Sequence, residues 1–510
     1  MESLEMRGAN RRKLIILVLV VFFTWLLFLQ RTRLKEDSED SYIVEGLGHS
    51  RIVPRKCMVP EWNKKTTNSL PHAAEFEQWR TRRIGSHVEI DIDIISIIHS
   101  FQHNILDAES RLLSAFVYPD QISIVTTAFH TYGKRATCLY YDCNRREIPS
   151  SRFKSRVVPL TVVTCPRRYG AEYVSLSFDD DVESQEPIPL IFRAYEQPVH
   201  ELSVCVGPLY GPESKWLEVV EYVEHYRLLV SLHVFKKFEI RLIQGTSMFY
   251  FTLFNMNDYD RKIVDDYERL GLAESTKYFM EYVKLGWMFH LIQTHECHHR
   301  SRFHSKWVIN MDIDERLIYN GPNNFIHFMR SIPPTFSEIS LSSNRVLKFE
   351  ELPEKFKSEE QLLADMMFLK YNQTTEISWY NLKGIVRPEM VALLFYHWSC
   401  RQFDETKVMS VSKRFAYVRH YRSVDENKLN SNWRTFYNGS LIETRLEESF
   451  EKRLTAAVLK RVKYVYDQRM IHCEEIPPWI FNRFERRLLD CNFRNESQII
   501  DNENTGISGF

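Results

Sequence analysis

Hydrophobic and polar positions follow two different rhythms along this chain, and the rhythm changes near residue 200. From about Val88 to Gln197, short runs rich in β-branched and aromatic residues recur at 122–126, 137–141, 157–163, 173–177 and 188–192, with turn-forming residues between them. Such runs predict the strands of a small antiparallel β domain. From Leu202 the elements lengthen and alternate. Residues 202–206 read as a buried strand, 207–212 as a tight Gly-Pro loop, and 214–230 as a long amphipathic helix. Its apolar face carries Trp216, Val219, Val220, Val223, Tyr226 and Leu229, and Ser214 is placed to cap it. A second strand at 247–254 ends in Asn255-Met256-Asn257-Asp258, and a helix from about Asp260 to Leu270 follows. Strand, helix, strand, helix is the rhythm of a parallel α/β sheet, where ligands sit at the C-terminal strand ends.

The next strand carries the first candidate chemistry. Trp307-Val308-Ile309-Asn310-Met311-Asp312-Ile313-Asp314-Glu315 reads as a buried strand that finishes in carboxylates. Strand alternation would turn Asp312 and Asp314 to one face. Neighbouring carboxylates repel unless a cation or a proton lies between them, so the pair suggests a divalent-metal site, against the simpler reading of a charged turn. Glu315 would point to the other face, to orient Arg316 or a loop or to touch substrate. Gly207 to Gly211, Asn255 to Asp258 and Asp312 to Asp314 then share one rim. Just upstream, Gln293-Thr294-His295-Glu296-Cys297-His298-His299-Arg300-Ser301-Arg302-Phe303-His304 offers zinc-type ligands at no standard zinc spacing. It reads as a solvated helix end or substrate-facing surface, with Cys297 open to a disulfide. From Ser440 the chain reads as helical, with Leu454, Val458, Val462, Val465 and Tyr466 at near-helical spacing and a disordered tail after Asn495.

Composition narrows the class. Lys plus Arg and Asp plus Glu balance at 67 each, so no basic excess points to nucleic acid. Residues 14–29 are apolar except for Thr24 and lie between Arg11-Arg12-Lys13 and Gln30-Arg31-Thr32-Arg33. As a helix they would span about 24 Å, suited to a thin membrane of the secretory pathway. No small-residue cleavage site follows, which favours a retained signal anchor over a cleaved signal peptide. Sequons at Asn372, Asn438 and Asn495, and nine cysteines that all lie beyond the anchor, agree with a lumenal body. Cys138 and Cys143 are close enough to close a small loop. The expected division is a cytoplasmic tail 1–13, an anchor 14–29, a stem 30–87, a β-rich domain 88–197, a catalytic domain 198–440 and a helical segment with tail 441–510.

Taken together, Val204-Cys205-Val206-Gly207-Pro208-Leu209-Tyr210-Gly211, Phe254-Asn255-Met256, the strand from Lys306 to Glu315, and Lys383-Gly384-Ile385-Val386-Arg387-Pro388 followed by His397 resemble glycosyltransferase family 92. The resemblance implies an α/β fold: a GT-A-like mixed-sheet catalytic domain behind a small β-rich domain and an N-terminal transmembrane helix, in a single-pass type II protein of the Golgi membrane. It implies a nucleotide-sugar donor, UDP-galactose by preference, an inverting transfer to a glycan of a glycoprotein or glycolipid, and Mn²⁺ as cofactor. Asp312 and Asp314 would be catalytic and, with His397, would hold the metal. Gly207, Pro208, Asn255, Lys383 and Arg387 would bind substrate. Inversion needs a carboxylate base for the acceptor hydroxyl, with Glu376, Glu389 and Asp404 as candidates. Trp379, Tyr380 and Trp398 are candidates for stacking on sugars. Two other readings remain open: a non-catalytic glycan-binding or scaffold protein that keeps the fold, and a zinc hydrolase built on the histidine-rich stretch.

Overall fold

The computed structural model describes residue 57 and residues 111–127, 133–158, 160–178, 185–230, 248–278, 287–403, 406–424 and 433–469. The run 14–29, the rest of the stem, Asp404, Asn495 and the tail lie outside these residues, as do the side chains of Trp379 and Tyr380. Among the described residues no helix is long and apolar enough to cross a membrane.

The leading β-branched runs form one sheet. Strands β1 (Leu112–Val117), β2 (Ile122–Thr126), β3 (Arg135–Tyr141), β4 (Phe153–Arg156), β5 (Val162–Cys165), β6 (Tyr173–Ser177) and β7 (Ile188–Phe192) lie in the order β4-β3-β6-β7-β1-β2-β5. Neighbours are antiparallel except β1 and β7, which are parallel. The run 157–163 enters a strand only at its end, because Pro159 offers no N–H to a ladder and Leu160 takes φ 49°. Cys138 bridges to Cys165, so the short loop to Cys143 does not form. One face of the sheet packs on itself through Ala115, Tyr140, Val163 and Leu176. The other shares a core with the region beyond residue 200, where Phe116 and Val125 meet Leu291, Ile292 and Leu393.

From His200 the expected alternation is present. It runs β8 (His200–Val206), α1 (Trp216–Val230), β9 (Met248–Leu253), α2 (Asp258–Arg269), β10 (Ala273–Lys277), α3 (Trp287–Ser301) and β11 (Ser305–Met311). Strands β10, β9, β8 and β11 lie side by side and parallel. The chain then adds β12 (Glu315–Tyr319), α4 (Phe325–Ser331), β13 (Phe336–Lys348), β14 (Gln373–Thr374), β15 (Ser378–Val386), β16 (Val391–Phe395), β17 (Trp398–Gln402), β18 (Lys407–Ser410), β19 (Ala416–Ser423), β20 (Ile442–Glu443) and α5 (Glu448–Lys463). Antiparallel β15 joins β11, and the whole becomes a mixed 11-stranded sheet with β16 and β17 as a separate hairpin. The fold is therefore mixed α/β.

Two local readings change. The cap of α1 is not Ser214: Lys215 N donates 2.7 Å to the Asp260 carboxylate, so the next helix satisfies this one's end. Nor does α1 keep a wet face. Glu218, Glu221 and Glu224 are buried with the apolar stripe, and α5 packs Leu454, Val458 and Val462 into the same core. Each acid finds a partner there; Glu221 accepts from Met367 N at 2.8 Å, and burial still pushes its pKa up to about 8.

Candidate active site

Strands β8 and β11 end side by side, with Val206 opposite Met311, and each releases one residue at the same edge. Gly207 N donates to Met311 O at 3.0 Å, which extends the ladder by one step. The glycine is dictated by proximity. A Cβ at position 207 would fall inside the Asp312 carboxylate and 3.1 Å from its Cα. The loop after it is tied to β9 by Leu209 N to Thr252 O, 2.9 Å, and Phe254 N to Leu209 O, 3.0 Å. Pro208 is buried in this loop, and Asn255 is exposed just beyond β9. Gly207, Asn255 and Asp312 thus lie along one strand-end rim.

Asp312 and Asp314 do not extend the strand. Glu315 N donates to Asp312 O at 3.0 Å, closing a turn that reverses the chain into β12. From beneath, Tyr222 OH donates to Met311 O at 3.1 Å and Tyr226 OH to Glu315 O at 3.3 Å. Strand alternation stops at Met311, so the expectation that both carboxylates share a face for that reason is corrected. They meet different partners. Asp312 lies 3.4 Å from His290 of α3, 3.4 Å from Lys383 of β15 and 3.4 Å from His397 of the β16–β17 turn. Asp314 lies 3.3 Å from His420 Nε2 of β19. Of the readings open for Glu315, the structure shows the orienting of a loop: its Oε2 accepts from Asp312 N of the turn at 3.0 Å, and its Oε1 lies 2.6 Å from Lys383 Nζ.

These surroundings set the charges. Burial pushes the Asp312 carboxyl up, but His397, Lys383 and His290 together hold it well below the usual carboxylate range. Burial also pushes Asp314 up, and His420 more than offsets this. Burial lowers His290 to about 4 against the pull of Asp312, so at neutral pH it presents an uncharged imidazole. Donor atoms of His290, Asp312 and His397 lie within 4.8 Å of one another, and so do those of Asp314, Glu315 and His420. Carboxylate oxygen with imidazole nitrogen suits Mn²⁺ and its neighbours in the first transition row.

His397 reaches the rim because the hairpin tip turns sharply, with Tyr396 at φ 54°, and because Gly384 leaves room under it. A side chain at 384 would strike the His397 carbonyl and stand 3.0 Å from Glu338 Oε1. Glu338 in turn accepts from Ser399 N at 2.7 Å and pins β17.

Other sequence candidates sit elsewhere. Lys383 is buried between Glu315 and Asp312 rather than turned to substrate. Arg387 is at the far end of β15, because that strand runs antiparallel to β11; it stacks 4.4 Å over Trp307 and donates to Ile332 O at 3.0 Å. Glu389 follows it at the same end. The histidine-rich stretch is no solvated helix end. His295, His298 and His299 are buried, His298 Nε2 lies 2.9 Å from Val391 O, and Cys297 is disulfide-bonded to Cys205. That leaves no zinc set there among the described residues. Of the sequons, Asn438 is exposed, whereas Asn372 is half-buried and its Nδ2 donates to Glu443 Oε1 at 2.8 Å.

His290 and His420 were missed from sequence. The first carried a signal, since His290, Gln293, Thr294 and Cys297 fall on one helical face, and a disulfide to β8 presses that face against the rim. The second carried none. His420 stands opposite Glu315 only through the β12–β19 register.

The family model of glycosyltransferase family 92 matches residues 200–455, from β8 into α5, and so includes every residue of this rim. The chain belongs to glycosyltransferase family 92. A comparison with curated proteins finds no match. Family membership makes the chain an enzyme that transfers a glycosyl group from a nucleotide-sugar donor to a glycan acceptor. As a family 92 glycosyltransferase, it carries its His and Asp cluster at the sheet edge where α/β enzymes bind their ligands.

Proposed function

We propose that this family 92 enzyme is a metal-dependent, inverting galactosyltransferase that takes galactose from UDP-galactose and places it on a glycan of a glycoprotein or glycolipid. The observation that carries this is Asp312 gathered with His290 and His397 at the C-terminal end of β11, beside Asp314 and His420. A GT-A-type arrangement is supported by the parallel β10-β9-β8-β11 run with antiparallel β15 added at its side.

Asp312, Asp314, His290 and His397 are the residues that would hold Mn²⁺. The ion would neutralise the diphosphate leaving group as the glycosidic bond breaks. Asp312 is kept ionised by its three cationic or imidazole neighbours, so it is ready to bind at neutral pH. Gly207 lets the backbone after β8 lie against that carboxylate, which opens the rim to a diphosphate. Of the candidate bases, Glu389 is at the wrong end of β15. Glu376 is exposed on the segment that enters β15 from the rim side, which supports it as the base that would deprotonate an acceptor hydroxyl. Trp398, partly exposed on the hairpin that carries His397, offers a ring to an acceptor sugar. The apolar run 14–29 and the sequons support a Golgi type II anchor with this domain in the lumen.

A donor screen tests the reading. Purified enzyme with MnCl₂ should release UDP from UDP-galactose faster than from UDP-glucose or UDP-N-acetylglucosamine, and chelation should stop it. Equal release with chelator present would overturn the metal dependence.

A further inference from the structure

Glu315 differs from the two aspartates beside it in being wholly buried, with 0% of its side chain exposed against 27% for Asp312 and 23% for Asp314. Both of its oxygens are engaged. Oε2 accepts from Asp312 N at 3.0 Å, while Oε1 lies 2.6 Å from Lys383 Nζ and 3.3 Å from His420 Nδ1. Each side-chain partner continues to an aspartate. Lys383 Nζ is 3.4 Å from Asp312 Oδ2, and His420 Nε2 is 3.3 Å from Asp314 Oδ2. One carboxylate therefore reaches both aspartates by two bridges drawn from β15 and β19, and its third contact fixes the backbone of the turn itself.

We propose that Glu315 is a positioning residue that commits the Lys383 ammonium and orients His420, leaving the Asp312 and Asp314 carboxylates available to a divalent cation. The inference rests on the cation reading above. Glu315 is not itself a ligand, because it is sealed from solvent and its oxygens are spent on a lysine, a histidine and an amide. Its effect on Asp312 follows from charge. With Glu315 in place, Lys383 has a carboxylate at 2.6 Å and stays at 3.4 Å from Asp312. With a glutamine in its place, the buried ammonium has Asp312 as its remaining charged partner at this distance and competes with the cation for it. At His420, a carboxylate on Nδ1 fixes which way Nε2 faces, as outer partners do for ligand imidazoles.

The test is Mn²⁺ titration of the purified enzyme, read by the loss of the free-ion electron paramagnetic resonance signal, with melting temperature measured alongside. Wild type should bind Mn²⁺. Glu315→Gln should bind about tenfold more weakly or worse, the usual size of such effects. Glu315→Gln with Lys383→Met, which removes both halves of the buried pair, should bind more tightly than the single variant yet more weakly than wild type, because His420 has also lost its carboxylate. A Glu315→Gln variant that binds as wild type does overturns the proposal. So does a double variant that melts like wild type yet binds as weakly as the single one. If the single variant does not fold, the double variant decides: binding about threefold or more weaker than wild type supports the His420 role, and binding equal to wild type overturns it. A wild-type chain that binds no Mn²⁺ overturns the cation reading itself, a different failure from an unaffected Glu315→Gln.

Discussion

Room for one methyl group separates an open rim from a blocked one at Gly207, whose missing Cβ is where the Asp312 carboxylate sits. Gly207→Ala should therefore lower transfer by about tenfold or more while leaving the far-ultraviolet circular dichroism unchanged, since a misplacement near 1 Å at a reacting site is costly to rate. Activity equal to wild type would mean that the carboxylate has another place to go. At this scale the sequence was partly legible. Asp312, Asp314 and His397 are chemistry-bearing residues visible in motif order. That His397 meets Asp312 depends on a turn with a left-handed Tyr396 lying over Gly384, and no local pattern declares it. Glu315 was legible as a residue that orients a loop, but not as the partner of Lys383, because the strand and its alternation end at Met311. Lys383 and Arg387, alike as basic residues of one motif, part company because five positions of an extended strand set them about 13 Å apart.

Among the elements, α3 does the most to build the site. Its His290, Gln293 and Cys297 face the strand ends, with Gln293 Nε2 donating to Val206 O at 3.0 Å and Cys297 bonded to Cys205 on β8. Paired replacement of Cys205 and Cys297 by serine should lower the melting temperature, since such a bridge contributes about 2–4 kcal/mol. It should also weaken Mn²⁺ dependence by freeing the face that holds His290. Unchanged Mn²⁺ dependence in a variant of lowered melting temperature would confine the bridge to stability. The histidine-rich run of this helix looked polar and was read as wet, yet it is the layer between the two sheets. Several of its polar groups have specific partners: Ser114 Oγ donates to Glu296 at 3.1 Å, and Arg300 donates to Glu296 at 2.7 Å and to Glu274 at 3.3 Å. Periodicity cannot distinguish such a helix from a surface one, because burial with partners and exposure leave the same residues in the same places.

For the molecule as a whole, this burial of histidine predicts sensitivity to acid. Burial lowers His225, His298 and His304 to about 3 and His295 to about 4. In the unfolded chain each protonates near pH 6.5, so between that value and the folded pKa the unfolded state holds more protons and stability falls as pH falls. Each histidine adds up to about 1.4 kcal/mol per pH unit across that window. Melting temperature should drop steeply from pH 6.5 to 4.5 and little from pH 8 to 7; a flat profile would contradict the buried, neutral assignment. The rhythm of β8, α1, β9, α2 and β11 was legible in the chain because each element carries its own period, whereas β10, the polar run Ala273–Lys277, was not. The later strands were not, since β12, β13, β15 and β19 pair across 35 to 105 residues and their register is set only by the sheet. The central claim is that Asp312 and Asp314 hold the metal that activates the donor. Transfer from UDP-galactose by the purified enzyme at saturating Mn²⁺ tests it most directly. The account predicts that Asp312→Ala and Asp314→Ala each lose activity by about a thousandfold, near the size expected for removing charge stabilisation at the reacting centre, with melting temperatures close to wild type. Wild-type rates in either folded variant would contradict it.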